Sequence, residues 1–183
     1  MLLDQLFRPL GYLLIRHPYK WVVDWAYPVT LATLSIIVLS ILGDIRDAIE
    51  PGGIMALTLS FIQSLPGFYI AALAAIATFG RSDIDSILPE PTPRIKKRTR
   101  NTDNWVALTR RRFLAMLFAF LTAESIVLTL SSIGILAHES SFPTDGIWLI
   151  VTDGLVFLYL VLLFQMIAAT FWGLYYLGYK LHE

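Results

Sequence analysis

A single ionisable residue, Glu124, interrupts the otherwise uncharged apolar run 113–137. A charge inside a hydrocarbon layer costs several kcal/mol, so such a carboxyl group must be protonated, paired or in contact with water. At 1.5 Å per helical residue it lies about 16 Å from the start of this run, near the middle of a bilayer. No Lys, Arg or His lies in the apolar runs, so we expect neutral hydrogen-bond partners for it. The candidates are Gln165, at similar depth, and Gln63.

Two interpretations of Glu124 follow. A carboxyl group at this depth is typical of proton-responsive or pore-lining positions, where several chains could contribute a ring. The same group could instead be a neutral acid that joins two helices by a hydrogen bond. The sequence leaves both open.

The second chemical feature is the basic segment 81–112, which holds 9 of the 14 Lys and Arg residues. The candidates for partner or lipid binding are Arg94, Lys96, Lys97, Arg98, Arg100, Arg110, Arg111 and Arg112. Each cation next to a membrane adds about 1 kcal/mol of attraction to anionic lipid. The alternative is a docking site for a cytosolic protein. A nucleic-acid partner is not expected, because Trp105 is the only aromatic residue in the basic run.

The sequence does not predict an enzyme. It has no cysteine. It also lacks a nucleophile elbow, a zinc-protease motif, a phosphate-binding loop and a dinucleotide-binding glycine motif. The three histidines are far apart in the chain, and we expect neither a metal site nor a cofactor.

Composition indicates that membrane-spanning helices make up most of the chain and position Glu124 and the basic segment. Hydrophobic residues make up 56% of the chain, charged residues 15%, and the mean hydropathy is +0.66. A soluble domain is about one quarter charged. The predicted membrane spans are 26–42, 54–79, 113–137 and 147–179. Each approaches or exceeds the roughly 20 residues that cross a bilayer, and Pro66 predicts a kink in the second.

We therefore predict an all-α fold, an integral membrane four-helix bundle with an N-terminal interfacial amphipathic helix. The helix is predicted because Leu3, Leu6 and Leu10 recur at three- and four-residue steps. An alternative is that this helix packs on the basic loop. The predicted parts are an N-terminal interfacial segment (1–24), a first transmembrane hairpin (25–80), a cytoplasmic basic loop (81–112) and a second transmembrane hairpin (113–183).

Charge asymmetry predicts the orientation. With four spans, the N-terminal segment, the basic loop and the C-terminal tail share one side and contain 13 of the 14 Lys and Arg residues. Positive residues favour the cytoplasmic side. We expect a multi-pass protein of the cell membrane, the inner membrane in a bacterium, with both termini in the cytoplasm.

In span number, size and the cytoplasmic basic loop, the chain resembles small four-helix membrane subunits of bacterial antiphage defence, such as the membrane component of the Kiwa system. The resemblance is one of architecture, without a shared motif, and assigns no role to any residue. It implies a homo-oligomer that senses membrane perturbation and signals to a cytosolic effector protein. We thus expect a non-enzymatic, oligomeric membrane sensor or anchor that couples to a cytosolic partner through its basic loop and contacts anionic lipids of the cytoplasmic leaflet. The alternative is an ion channel or pore-forming subunit with Glu124 in its lumen.

Overall fold

The computed structural model describes residues 5–78, 80, 82–99, 102–138 and 146–178. The chain is mostly helical. Four helical stretches are long and apolar enough to cross a membrane: Val22–Leu42, Ile54–Thr78, Arg110–Ala137 and Ile147–Leu177. The predicted number of membrane-length helices is confirmed.

These stretches contain five α-helices. They are α1 (Tyr27–Leu42), α2 (Ile54–Ile62), α3 (Leu65–Thr78), α4 (Arg110–Ala137) and α5 (Ile147–Gly178). The second span is divided at Gln63 and Ser64, and Pro66 is the second residue of the helix that follows. Proline lacks an N–H and collides with the preceding turn of a helix. The predicted interruption is confirmed at this point.

Two spans begin earlier than predicted. The first begins with a π-helical turn, Val22–Ala26, because its one charged residue, Asp24, is buried and hydrogen-bonded rather than left in hydrocarbon. The third begins at Arg110, because Thr109 caps it by accepting a hydrogen bond from the Arg112 N–H at 3.4 Å. Three arginines that we assigned to the loop therefore form the first turn of α4.

The prediction of an all-α fold is wrong in the basic loop, which forms an antiparallel hairpin of β1 (Arg94–Thr99) and β2 (Thr102–Ala107). Ile95 pairs with Val106, and both are half-buried. The residue that follows β2, Leu108, is fully buried. Apolar contacts of this kind let a basic segment fold as strands.

The N-terminal segment also differs from the prediction. Its residues Arg8–Leu14, which include Pro9, form a 3-10 helix rather than a regular amphipathic α-helix. The Tyr12 side chain is completely buried, and its ring stacks on that of Phe120 with centroids 5.0 Å apart. Leu6 and Leu14 remain 72% and 70% exposed. The segment thus packs on α4 through a tyrosine and turns leucines outward, while its position at a membrane surface stays a prediction.

Helix α4 lies at the centre of the molecule. It contacts α2, α3, α5 and the N-terminal 3-10 helix, whereas α1 packs mainly on α5. Its buried face includes Phe113, Leu117, Leu121 and Glu124. The candidate carboxyl group therefore points into the bundle.

Candidate functional site

Asp24 is the centre of a buried polar cluster at the end of the first span that lies beside the N-terminal segment and the basic hairpin, which we call the inner end of the bundle. Only 1% of the Asp24 surface is exposed. One carboxylate oxygen accepts a hydrogen bond from the Tyr12 hydroxyl at 3.0 Å. The other forms an ion pair with the Lys20 ammonium. The Asp24 backbone carbonyl accepts a hydrogen bond from Gln165 Nε2 at 2.9 Å. The N-terminal segment, the first span and α5 thus meet at one residue.

Lys20 balances the charge of Asp24. The two residues lie four positions apart, so they face the same side of a helical turn. The Lys20 ammonium also lies 4.1 Å from the centre of the Tyr12 ring, within range of a cation–π contact. Burial lowers the pKa of Lys20, and the charge of Asp24 opposes this effect. Burial raises the pKa of Tyr12, and the Asp24 carboxylate adds to that rise, so Tyr12 keeps its proton and donates a hydrogen bond to Asp24.

Glu124 lies beside this cluster without joining its hydrogen bonds. The side chain is 8% exposed, and neither carboxylate oxygen has a hydrogen-bond partner in the described part of the chain. Asp24, Tyr12 and Tyr69 lie within electrostatic range of it. Glu124 therefore carries two buried acceptor oxygens whose hydrogen-bonding capacity is not used, an arrangement that costs about 1–3 kcal/mol.

The predicted neutral partners of Glu124 are wrong. Gln165 is 2% exposed, as expected for a residue inside the bundle, but it donates to Asp24. Gln63 lies in the interruption of the second span and is exposed. Both predictions matched residues by depth along the helices, which does not fix the direction in which a side chain points.

The depths of the polar cluster and of Glu124 follow from their positions along the helices. Along their helices, Asp24 lies about 27 Å from Leu42 and Gln165 about 27 Å from Ile147, at 1.5 Å per residue. The hydrocarbon layer of a bilayer is about 30 Å thick. In a bilayer that these helices span, the polar cluster lies near the inner boundary, whereas Glu124 lies near the middle of α4.

The predicted basic residues do not form one surface. Arg94 and Lys96 lie on one face of the hairpin together with Trp105, since cross-strand partners and alternate residues share a face. Lys97 and Arg98 take the next two positions of β1, and Arg100 lies outside the described residues. The hairpin is therefore two-sided, with its aromatic residue on the face of Arg94.

The remaining three, Arg110, Arg111 and Arg112, belong to α4. Arg111 forms two hydrogen bonds with Asp85, of 2.7 and 3.0 Å, and donates a third to the Ile76 carbonyl at 2.6 Å. The Arg111 guanidinium lowers the pKa of Asp85. Arg111 therefore ties the end of α3 and the start of the loop to the base of α4, a structural role rather than an exposed binding one.

An open cleft of about 770 Å³ lies between the N-terminal segment, the first turn of the first span and the hairpin. Its lining includes Arg16, Trp21, Trp25, Arg94 and Trp105. A volume of this size is within the range of pockets that hold small molecules. From the sequence, residues 1–24 are predicted only to lie at a membrane surface, without a ligand site.

Tyr12, Lys20 and Asp24 were not predicted from the sequence to be partners in a site. One local signal was present: a Lys and an Asp four residues apart at the head of an apolar run. Such a pair can enter a membrane-facing helix because each charge neutralises the other. Tyr12 carried no comparable signal, since its burial depends on how the N-terminal segment folds back onto α4.

Among the residues that the structure describes, no three His, Asp or Glu side chains come together where they could hold a metal ion. Comparison of the chain with models of known families, with curated protein sequences and with solved structures finds no match. The antiphage-defence resemblance therefore stays a prediction that rests on architecture.

Proposed function

We propose that the chain is a non-enzymatic, multi-pass protein of the cell membrane that acts as a sensor or anchor and docks a cytosolic protein on its basic hairpin. The main support is that the hairpin is folded and fixed to the candidate membrane helices. A basic loop that served only to orient the spans in the membrane would not need to be folded or fixed to the helices.

Three sets of contacts hold the hairpin against the helices and the N-terminal segment. Arg16 and Arg94 exchange backbone hydrogen bonds of 2.9 and 3.0 Å, which adds the N-terminal segment to the edge of β1. Leu88 and Leu108 are buried under the loop and joined by a backbone hydrogen bond of 3.2 Å. Arg111 holds Asp85 at the base of α4. A shift of α4 would therefore move the hairpin, which gives a physical route from a membrane change to a docked partner.

Homo-oligomerisation is part of this proposal. Only 11% of the most apolar 18-residue stretch of the first span is buried inside the chain. Ile41 and Leu42 are 76% and 81% exposed. Such a face suits lipid or the same face of another copy. Mass measurement in lipid nanodiscs should give more than one chain per particle, and a strict monomer across several lipids would remove this part of the proposal.

The docking test compares two replacements of Lys96, Lys97, Arg98 and Arg100, one to Glu and one to Gln. A photo-crosslinking residue at Asn104, which is exposed on β2, would capture the partner in cells, and one at His138, beyond the outer end of α4, serves as the position control. Docking through charge predicts loss of the Asn104 product in the Glu variant, partial loss in the Gln variant and weakening at high salt. Insertion should persist, because five Lys and Arg residues remain in the segment 81–112.

An unchanged Asn104 product after reversal of all four charges would contradict docking. It would leave attraction to anionic lipid as the role of these residues.

The alternative, an ion channel or pore-forming subunit with Glu124 in the lumen, has less support. In the single chain Glu124 is buried, and Asp24, Tyr12 and Tyr69 lie within electrostatic range of it, so a lumen would require the bundle to open. Current across a bilayer that contains the pure protein tests it. Glu124→Gln should then alter conductance or its pH dependence, and the absence of any current would remove the alternative.

A further inference from the structure

The open cleft beside the hairpin combines two features that point to an anionic ligand, cations held close together and exposed tryptophans. Arg16 and Arg94 face each other across a backbone pair whose Cα atoms are about 5.5 Å apart in such a geometry. Directly opposed residues project to the same face, so the structure brings two guanidinium groups to one side of the hairpin. Like charges in this position repel each other.

Within the described part of the chain, neither Arg16 nor Arg94 forms an ion pair. The Arg16 guanidinium instead lies 4.8 Å from the centre of the Trp105 ring, and this contact holds it over the cleft. The cleft also contains an ion pair, Lys20 with Asp24, which contributes no net charge. Glu90, an exposed acid on the rim, opposes the two arginines.

The other wall of the cleft belongs to the head of the first span. Trp21 and Trp25 lie one helical turn apart and are 68% and 45% exposed. Tryptophan side chains at the end of a membrane span favour the headgroup layer. A ligand in this cleft could therefore place its phosphate between the arginines while its apolar part continues along the tryptophans toward the bilayer.

We propose that this cleft binds the phosphate of an anionic membrane phospholipid, with Arg16 and Arg94 as the phosphate ligands and Trp21 and Trp25 beside the glycerol and acyl region. Arginine suits this role because its planar group forms paired hydrogen bonds with phosphate oxygens. The bound phosphate also removes the repulsion between the two guanidinium groups. This lipid site goes beyond partner docking and does not depend on it.

The test uses the full chain purified in neutral detergent and native mass spectrometry with three probes: phosphatidic acid, phosphatidylcholine and soluble glycerol 3-phosphate. Phosphatidic acid should bind most tightly. The double variant Arg16→Gln/Arg94→Gln should weaken it about tenfold or more, since hydrogen bonds to charged groups are lost. Each single variant, Arg16→Gln or Arg94→Gln, should also weaken binding. Arg8→Gln removes the same single charge from an exposed position of the N-terminal segment outside the cleft lining and should change affinity only slightly. Glu90→Gln should tighten binding.

Equal loss of lipid in the Arg8 and cleft variants would overturn the site in favour of diffuse attraction. Glycerol 3-phosphate that binds as tightly as phosphatidic acid would overturn the assignment to a membrane lipid. A photoreactive phosphatidic acid supplies a second measurement on the unmodified protein, and its adducts should map to Trp21, Trp25 or Trp105. Adducts confined to α1 and α2 would also overturn the proposal. The assay contains no partner protein, so failure of docking leaves its result unchanged.

Discussion

At the inner end of the bundle, Phe113 is completely buried and its ring lies 5.1 Å from that of Tyr176 and 5.4 Å from that of Trp172. At the outer end, Trp148 and Ile150 of α5 are 52% and 71% exposed. The same two helices, α4 and α5, contribute to both ends. The difference arises because the N-terminal segment and the basic loop cover the inner end only.

This comparison indicates where stability is concentrated. The inner end combines aromatic packing with the hydrogen bonds of Asp24 and Arg111. In the outer half, a space of about 310 Å³ lies between α4 and α5, bounded by Leu128, Leu155 and Tyr159. Regions with few buried contacts open at lower free energy than the core does. We therefore expect membrane-driven movement at the outer end and transmission of that movement through a stable inner end.

The largest expected effect comes from removing a phenylalanine from the inner end and comparing it with one removed from the outer half. Phe113→Ala should reduce the free energy of unfolding by about 3–5 kcal/mol, the range for buried aromatic truncations. Phe61→Ala in α2 removes the same atoms from a side chain that is 56% exposed, and should cost less than about 1 kcal/mol. Unfolding in mixed micelles at matched lipid content measures both. Similar losses for the two variants would contradict the concentration of stability at the inner end.

The second prediction concerns the charge pair. Asp24→Asn leaves the buried Lys20 without its partner and should cost up to about 3–5 kcal/mol. The double variant Lys20→Met/Asp24→Asn removes both charges and should recover most of this loss. A double variant no more stable than Asp24→Asn would show that the charge pair does not account for the loss.

The charge-pair prediction also has a pH dependence. Burial lowers the pKa of Lys20 in the folded chain, so between that pKa and the ordinary lysine value of about 10.4 the unfolded chain holds more protons. Stability should therefore rise with pH through this window. The rise should be larger in Asp24→Asn, which lacks the carboxylate that opposes the lowering. A pH titration of unfolding between neutral and alkaline conditions measures it, and identical pH dependence in the two proteins would contradict the coupling.

The spans were predictable because length and apolar composition alone decide whether a helix can cross a bilayer. The interruption before Pro66 was predictable for a local reason too, the missing N–H of proline. The hairpin could not be predicted from the sequence, because β1 has the sequence Arg-Ile-Lys-Lys-Arg-Thr and contains one large apolar residue, Ile95. Its folding depends on Arg16 and on the burial of Leu108, which are tertiary features.

In the candidate site, the Glu124 carboxyl group could be predicted from the sequence, but its neighbours could not. Glu124 is conspicuous in an uncharged run, whereas the direction of Gln165 depends on how α5 rotates against the first span. Depth along a helix is given by counting residues, and rotation is given only by packing. The same limitation explains why Gln63 was a plausible partner in the sequence and lies exposed in the structure.

The third prediction compares two glycines of α5. A Cβ atom at Gly173 would lie 2.8 Å from the Leu117 side chain, whereas one at Gly154 would meet no other atom within 4 Å. Alanine in a helix is favoured over glycine by about 1 kcal/mol, so Gly154→Ala should stabilise the protein by up to that amount. At Gly173 overpacking costs about 1–3 kcal/mol and should cancel or reverse the gain. Melting temperatures in detergent compare them, and an equal rise in both would show that the inner core has space to spare.

The smallest expected effect, and the one with the opposite sign to the loss at Asp24, is at Glu124. Its oxygens have no hydrogen-bond partner in the described chain, so Glu124→Leu breaks no bond and removes a group that is costly in hydrocarbon. Stability should stay the same or rise by about 1 kcal/mol, within the cost of an unsatisfied buried group. Glu124→Gln keeps the size and polarity of the side chain without titrating, and should leave folding intact.

The decisive comparison measures melting temperature together with capture of the partner at Asn104 for both variants. Loss of capture in Gln and Leu variants that melt normally would assign Glu124 a signalling role that depends on its proton. Full capture in Glu124→Gln would remove a titrating role, and a clear fall in the melting temperature of Glu124→Leu would show that the carboxyl group stabilises the bundle.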